Sequence, residues 1–166
     1  MITNIPYSTA YRTVKRFPTL LNSRTVGKAE LIQLNISNKI IINYLAISSN
    51  NERLIFLEKN KLISKIDSKL QDKNIVLLFG SYAKGKQTKY SDIDLLIINK
   101  KGEKDISFKN EELLFNIKIN PIFITKKEFK LMLRDKEENV GKQVLKDHII
   151  LKGFNDFWEE VINDVQ

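Results

Sequence analysis

Asp92 and Asp94 stand two residues apart at the head of an apolar run, Ile93 to Ile98, and a Gly80-Ser81 corner closes an earlier run, Ile75 to Phe79. In an extended strand positions i and i+2 point to one side. The two carboxylates therefore project together, while Ile93 and Leu95 face the opposite way. Carboxylates held that close repel one another unless a cation lies between them, and a hard divalent ion suits an all-oxygen pair. Mg²⁺ is commonly held by one or two carboxylates together with the phosphates of a substrate. A Gly-Ser corner also lets backbone N–H groups approach an anion closely, as phosphate-cradling turns do. Taken singly, Asp-x-Asp reads as a solvated strand edge and Gly-Ser as an ordinary turn. The combination carries the information.

From Phe79 onward the order is Gly80-Ser81, Ala83-Lys84-Gly85, a polar spacer, then Ser91-Asp92-Ile93-Asp94 opening the second apolar run. This resembles the signature of the minimal nucleotidyltransferases, relatives of the catalytic domain of DNA polymerase β, written G-S-x-A-R-G-x(n)-S-D-I-D-L. Lys84 stands where Arg is usual. The resemblance implies that Gly80 and Ser81 contact the triphosphate of a nucleotide and that Asp92 and Asp94 hold Mg²⁺. Catalysis of this kind rests on positioning and charge neutralisation around an in-line displacement at phosphorus. Lys84 would add a point charge without the bidentate fork of Arg.

One position departs from the pattern. The resemblance implies a third carboxylate on a later strand, which the sequence places within Leu113 to Ile124. Alternation puts Asn120 at that position, where an amide offers a carbonyl oxygen but neither a charge nor a base. Pro121 removes a backbone donor and favours a sheet edge or a bulge. Three outcomes stay open: slow catalysis with one metal, a carboxylate supplied by Glu111, Glu112 or Asp105, or no transferase activity.

The 166 residues bound the elements that must position this constellation to one domain, or one small domain with an appendage, and 42% hydrophobic content is enough for a packed core. Without cysteine, disulfides and thiolate metal sites are excluded, and a single histidine makes a His-based zinc site or a Ser-His triad improbable. His148 reads as structural. No apolar stretch reaches membrane-spanning length and Met1–Asn4 lacks a signal-peptide design, so a soluble cytoplasmic protein is expected. The net charge of +8 draws the chain toward polyanions, although abundant Lys, Ile and Asn also point to an A·T-rich genome. The excess is uneven: up to Asn50, six cationic residues (Arg12, Lys15, Arg16, Arg24, Lys28, Lys39) face the lone acid Glu30.

The expected fold is α+β (α/β): a nucleotidyltransferase fold over residues 51–166, with a short mixed sheet flanked by helices, preceded by a small segment over 1–50. After Pro6, a helix near 7–17 places Ala10, Val14 and Phe17 on one face. Ser8, Tyr11, Arg12, Lys15 and Arg16 are then available to a DNA groove. A turn and strand follow over Arg24 to Leu34. The order resembles the recognition helix and wing of winged helix-turn-helix domains, which precede nucleotidyltransferase domains in some archaeal proteins. Too few residues precede this helix for the usual companions, so the domain is a shortened one, or 37–72 replaces them. Helical periodicity runs through 37–72 with a break expected at Ser48–Asn51. A capping box at Thr125 and Glu128 predicts a helix near 126–135, with further helices near 139–147 and 153–165. Trp158 reads as core or as a homodimer contact.

Two functions follow. The first is Mg²⁺-dependent transfer of a nucleoside monophosphate from an NTP to a hydroxyl of a protein, nucleic acid or small molecule. In that family such proteins often serve as antitoxins acting on a partner toxin. The alternative is a catalytically weak or inactive member acting as a DNA-binding regulator.

Overall fold

The computed structural model describes residues 5–165. The reading of Met1–Asn4 as lacking a leader lies outside them. The chain divides after Tyr44 into two compact units, Met1–Tyr44 and Leu45–Gln166.

In the N-terminal unit, α1 (Tyr7–Arg16) starts after Pro6, whose carbonyl accepts from Thr9 and Ala10 N–H at 2.9 and 3.0 Å. Proline suits a helix start because the first N–H groups have no partner within the helix. No residue of α1 is buried; of the predicted apolar face, Val14 and Phe17 are half-buried and Ala10 is exposed. Two strands follow, β1 (Leu21–Val26) and β2 (Ala29–Leu34), paired antiparallel with Val26 opposite Ala29. Gly27 opens the two-residue turn at φ 61°, a conformation that costs an L side chain strain.

α2 (Ile40–Lys59) is one continuous helix, which corrects the break expected at Ser48–Asn51. Ser and Asn cost a helix only a few tenths of a kcal/mol each, and here they are used: Ser49 is buried and its Oγ accepts from Trp158 Nε1 at 3.1 Å. The real interruption comes at Asn60, before α3 (Lys61–Asp67). A paired Arg53 and Asp67 tie α2 to α3, with Arg53 Nε 3.0 Å from Asp67 Oδ1.

The C-terminal unit is a mixed four-stranded sheet in the order β5-β4-β3-β6, made of β3 (Ile75–Phe79), β4 (Ile93–Ile98), β5 (Ile119–Ile124) and β6 (Ile149–Lys152). β3 runs antiparallel to β4 and β6, and β4 runs parallel to β5. Val76, Leu78, Ile93, Leu95 and Ile97 form one face with Ile63 and Ile66 of α3. Ile75, Leu77, Phe79, Leu96 and Ile98 form the other. That second face packs on Phe129 of α6 (Lys126–Arg134), Val144 of α7 (Val140–Lys146) and Phe157 of α8 (Phe154–Val165). With both faces covered, the two central strands read as near-continuous apolar runs, interrupted only by Asp94 in β4.

One expectation is corrected here. Leu113 to Phe115 are not strand but the end of a helix, α5 (Lys109–Phe115). Glu111 and Glu112 favour its first turn, and Asn116 closes it in the left-handed region at φ 48°. β6 carries no strand signal of its own in the sequence: four residues give too short a pattern, and pairing with β3 creates the strand. β5, with Pro121, is an edge strand.

Candidate active site

Three strand ends meet through register. Phe79, the last residue of β3, pairs with Asp94 of β4, and Asp94 pairs with Asn120 of β5. Gly80 follows Phe79 at φ 72° and opens the single-turn helix α4 (Gly80–Ala83). A Cβ placed on Gly80 would lie 2.3 Å from Asp94 Oδ2, so the carboxylate rests directly on the bare glycine backbone. Both the torsion and the contact require glycine.

The two aspartates converge. Asn120 Nδ2 donates to Asp92 Oδ2 at 3.1 Å and to Asp94 Oδ1 at 3.4 Å. Carboxylates only accept, so the amide nitrogen is the atom that faces them. Ile93 and Leu95 lie in the opposite core face, as the alternation predicts. On the open side, Lys118 Nζ stands 3.6 Å from Asp92 Oδ2. Ile93 N–H donates to Lys118 O at 2.9 Å, which fixes the backbone there. Sequence reasoning missed Lys118, although its i−2 spacing from Asn120 is a legible signal for the same side.

The other expected contributors are distributed differently. Ser81 is half-buried at the start of α4, and its carbonyl accepts from Lys86 N–H at 2.9 Å. Lys84 pairs with Asp147 at 3.6 Å, in the connection from α7 to β6. The alternative carboxylates are all engaged elsewhere. Glu111 is bound by Lys69 at 2.7 Å, and that hydrogen bond holds its carboxyl below the usual range. Glu112 accepts from Ile119 N–H at 2.9 Å, and Asp105 from Asn74 Nδ2 at 2.9 Å. Among the described residues no group of three or more His, Cys, Asp and Glu is arranged to hold a metal. His148 is half-buried against Phe157 with Nδ1 2.6 Å from Val144 O, and desolvation there pushes its pKa down. It is structural. Ser8, Tyr11, Arg12, Lys15 and Arg16 all lie exposed on α1, in the other unit.

The donor set consists of hard oxygens from two carboxylates, open on one side, whose mutual repulsion is offset by an amide nitrogen and an ammonium. That chemistry fits a hard divalent cation. The N–H groups of the first turn of α4 start beside it, and such groups have no partner within their own helix.

A family model for the nucleotidyltransferase domain matches residues 59–165. The chain is 40% identical over 98 residues, 54% of its length and 95% of the relative's, to a protein of Methanocaldococcus jannaschii named a "putative protein adenylyltransferase". A crystal structure of a toxin-antitoxin with AMP-PNP overlays on 69% of this chain and 82% of that one, at a TM-score of 0.40 and 16% identity.

Proposed function

This chain belongs to the nucleotidyltransferase domain family, and we propose that it transfers a nucleoside monophosphate from an Mg²⁺-bound NTP to a hydroxyl acceptor. The observation that carries this reading is the convergence of Asp92 and Asp94 on one amide nitrogen, with Asp94 seated on Gly80. Asp92 and Asp94 would hold Mg²⁺, which when bound supplies charge neutralisation for the phosphates. Gly80 and Ser81 would present backbone N–H groups to a phosphate oxygen. Asn120 would orient the aspartates rather than take up the proton of the acceptor, since an amide is no base. A protein hydroxyl as acceptor and ATP as donor are the version supported by the name of the archaeal relative. An antitoxin role toward a partner toxin rests on the family resemblance of the motif alone.

The test is incubation with Mg²⁺ and each labelled NTP, alone and with candidate protein and RNA acceptors. Label should pass to an acceptor or to the chain itself with wild type, and fall by at least about a hundredfold in Asp92→Asn/Asp94→Asn. A wild-type chain that neither transfers label nor retains Mg²⁺-NTP overturns the reading.

A second reading has its own observation. α1 carries Arg12, Lys15 and Arg16 exposed beside a two-stranded hairpin, a helix-and-wing order that suits a DNA backbone. Salt-dependent retention on duplex DNA, lost in Arg12→Ala/Lys15→Ala, would support it. Retention that this variant leaves unchanged would count against α1.

A further inference from the structure

Asn120 stands where the family pattern has a third carboxylate, and Lys118 flanks it on the same side. Each is two residues from the other, and both reach the aspartate side: Lys118 Nζ lies 3.6 Å from Asp92 Oδ2, and Asn120 Nδ2 3.1 Å from the same oxygen. Lys118 is held in place by its carbonyl, which takes the N–H of Ile93 and so continues the β4–β5 ladder one step beyond Ile119. Its side chain is 69% exposed and, among the described residues, reaches no other carboxylate within ion-pair distance.

The charges set the stoichiometry. Two carboxylates suffice to offset one divalent cation. A second cation anchored to the protein would need a further carboxylate there, and Asn120 supplies none, so the phosphates of the nucleotide alone would have to hold it. It would also sit against the Lys118 ammonium, and a divalent and a monovalent cation about 4 Å apart repel by about 2 kcal/mol even in water.

We infer that this is a single-metal site in which the Lys118 ammonium supplies the charge that a second divalent cation would otherwise bring, with a phosphate oxygen of the nucleotide as its partner. This rests on the nucleotidyl-transfer reading above. An exposed Lys–Asp pair with no such role would be worth little and could be removed without consequence.

Equilibrium dialysis against MnCl₂ and α,β-methylene-ATP tests it, counting manganese and nucleotide per chain. Wild type should retain one Mn²⁺ per bound nucleotide, and Lys118→Met/Asn120→Asp should retain two. Lys118→Met alone should bind Mn²⁺ about three- to tenfold more tightly without nucleotide, and bind the nucleotide about tenfold more weakly. A purely structural pair would move neither constant. Because Lys118 is exposed, the single variant keeps the test valid if the double variant misfolds. Two Mn²⁺ per nucleotide in wild type, or unchanged constants in Lys118→Met, overturns the inference and leaves the transferase reading standing. A wild type that retains no nucleotide removes that reading, and the inference falls with it.

Discussion

The N-terminal and C-terminal units spend their apolar residues differently. In the C-terminal unit Ile75–Phe79 and Leu95–Ile98 are buried along their whole length, because helices cover both faces of the sheet. In the N-terminal unit α1 buries nothing and the β1–β2 hairpin is half-buried only at Leu21 and Ile32. The difference teaches where positioned chemistry can live. Asp94 and Asn120 inherit their places from ladder register inside a packed sheet, which holds side chains to a fraction of an ångström. The cationic groups of α1 ride on an exposed helix, which is enough to attract a polyanion but not to aim a reacting atom.

The contrast is tested most severely by truncation. Leu77 is fully buried, so Leu77→Ala should cost about 2–5 kcal/mol in urea denaturation. Val26 is 55% exposed in β1, and Val26→Ala should stay within about 0.5 kcal/mol. Equal costs would break the comparison. The next test places one substitution in both units. Gly27→Ala meets nothing within 4 Å and pays only for φ 61°, about 1–2 kcal/mol, visible as faster hydrogen exchange in the hairpin. Gly80→Ala pays the same strain and also displaces the Asp94 carboxylate, so Mg²⁺-NTP retention should be lost as well. Retention unchanged in Gly80→Ala would detach the glycine corner from the site.

Legibility followed the same division. Alternation over Asp92–Leu95 was sufficient to put both carboxylates on one side, and the Thr125 capping box marked a helix start to the residue. Both signals are local. The stretch Leu113–Phe115 is apolar in a way that suits strand or helix equally, and a left-handed Asn116 decided it. β6 exists because β3 offers it a free edge, and α2 runs through Ser49 because Trp158 bonds it from more than a hundred residues away. Such partners are invisible to a window of sequence. Lys118 was legible by spacing but carries no type signal, since lysines are scattered along the whole chain.

Acid should separate the units next. The one histidine and the one tryptophan both belong to the C-terminal unit, with their rings 6.3 Å apart. Burial lowers the His148 pKa, so the unfolded chain takes up a proton that the folded chain refuses. Stability is then fully present above the ordinary histidine value of about 6.5 and is lost as pH falls below it toward the depressed folded value. The slope cannot exceed about 1.4 kcal/mol per pH unit from this one group. Urea midpoints followed by Trp158 fluorescence should drop across that window in wild type and flatten in His148→Gln. An equal slope in the variant would assign the acid sensitivity to the carboxylates instead.

Helix starts give the finest comparison between the units. α6 opens on a reciprocal cap: Thr125 Oγ1 accepts from Glu128 N–H at 3.2 Å, and Glu128 Oε2 accepts from Thr125 N–H at 2.7 Å. The backbone bond from Thr125 is also what holds the Glu128 carboxyl below its usual range. α1 opens on Pro6 with no side-chain cap bond. Thr125→Ala removes the acceptor for one orphan N–H and leaves Glu128 with half its partners, for a cost of about 1 kcal/mol. Ser8→Ala in the first turn of α1 removes no cap and should shift stability by less than about 0.5 kcal/mol. Chemical denaturation of the two variants side by side checks the pair. If Ser8→Ala costs as much as Thr125→Ala, the N-terminal helix has a support that its exposed face does not reveal, and its cationic groups are better positioned than this comparison allows.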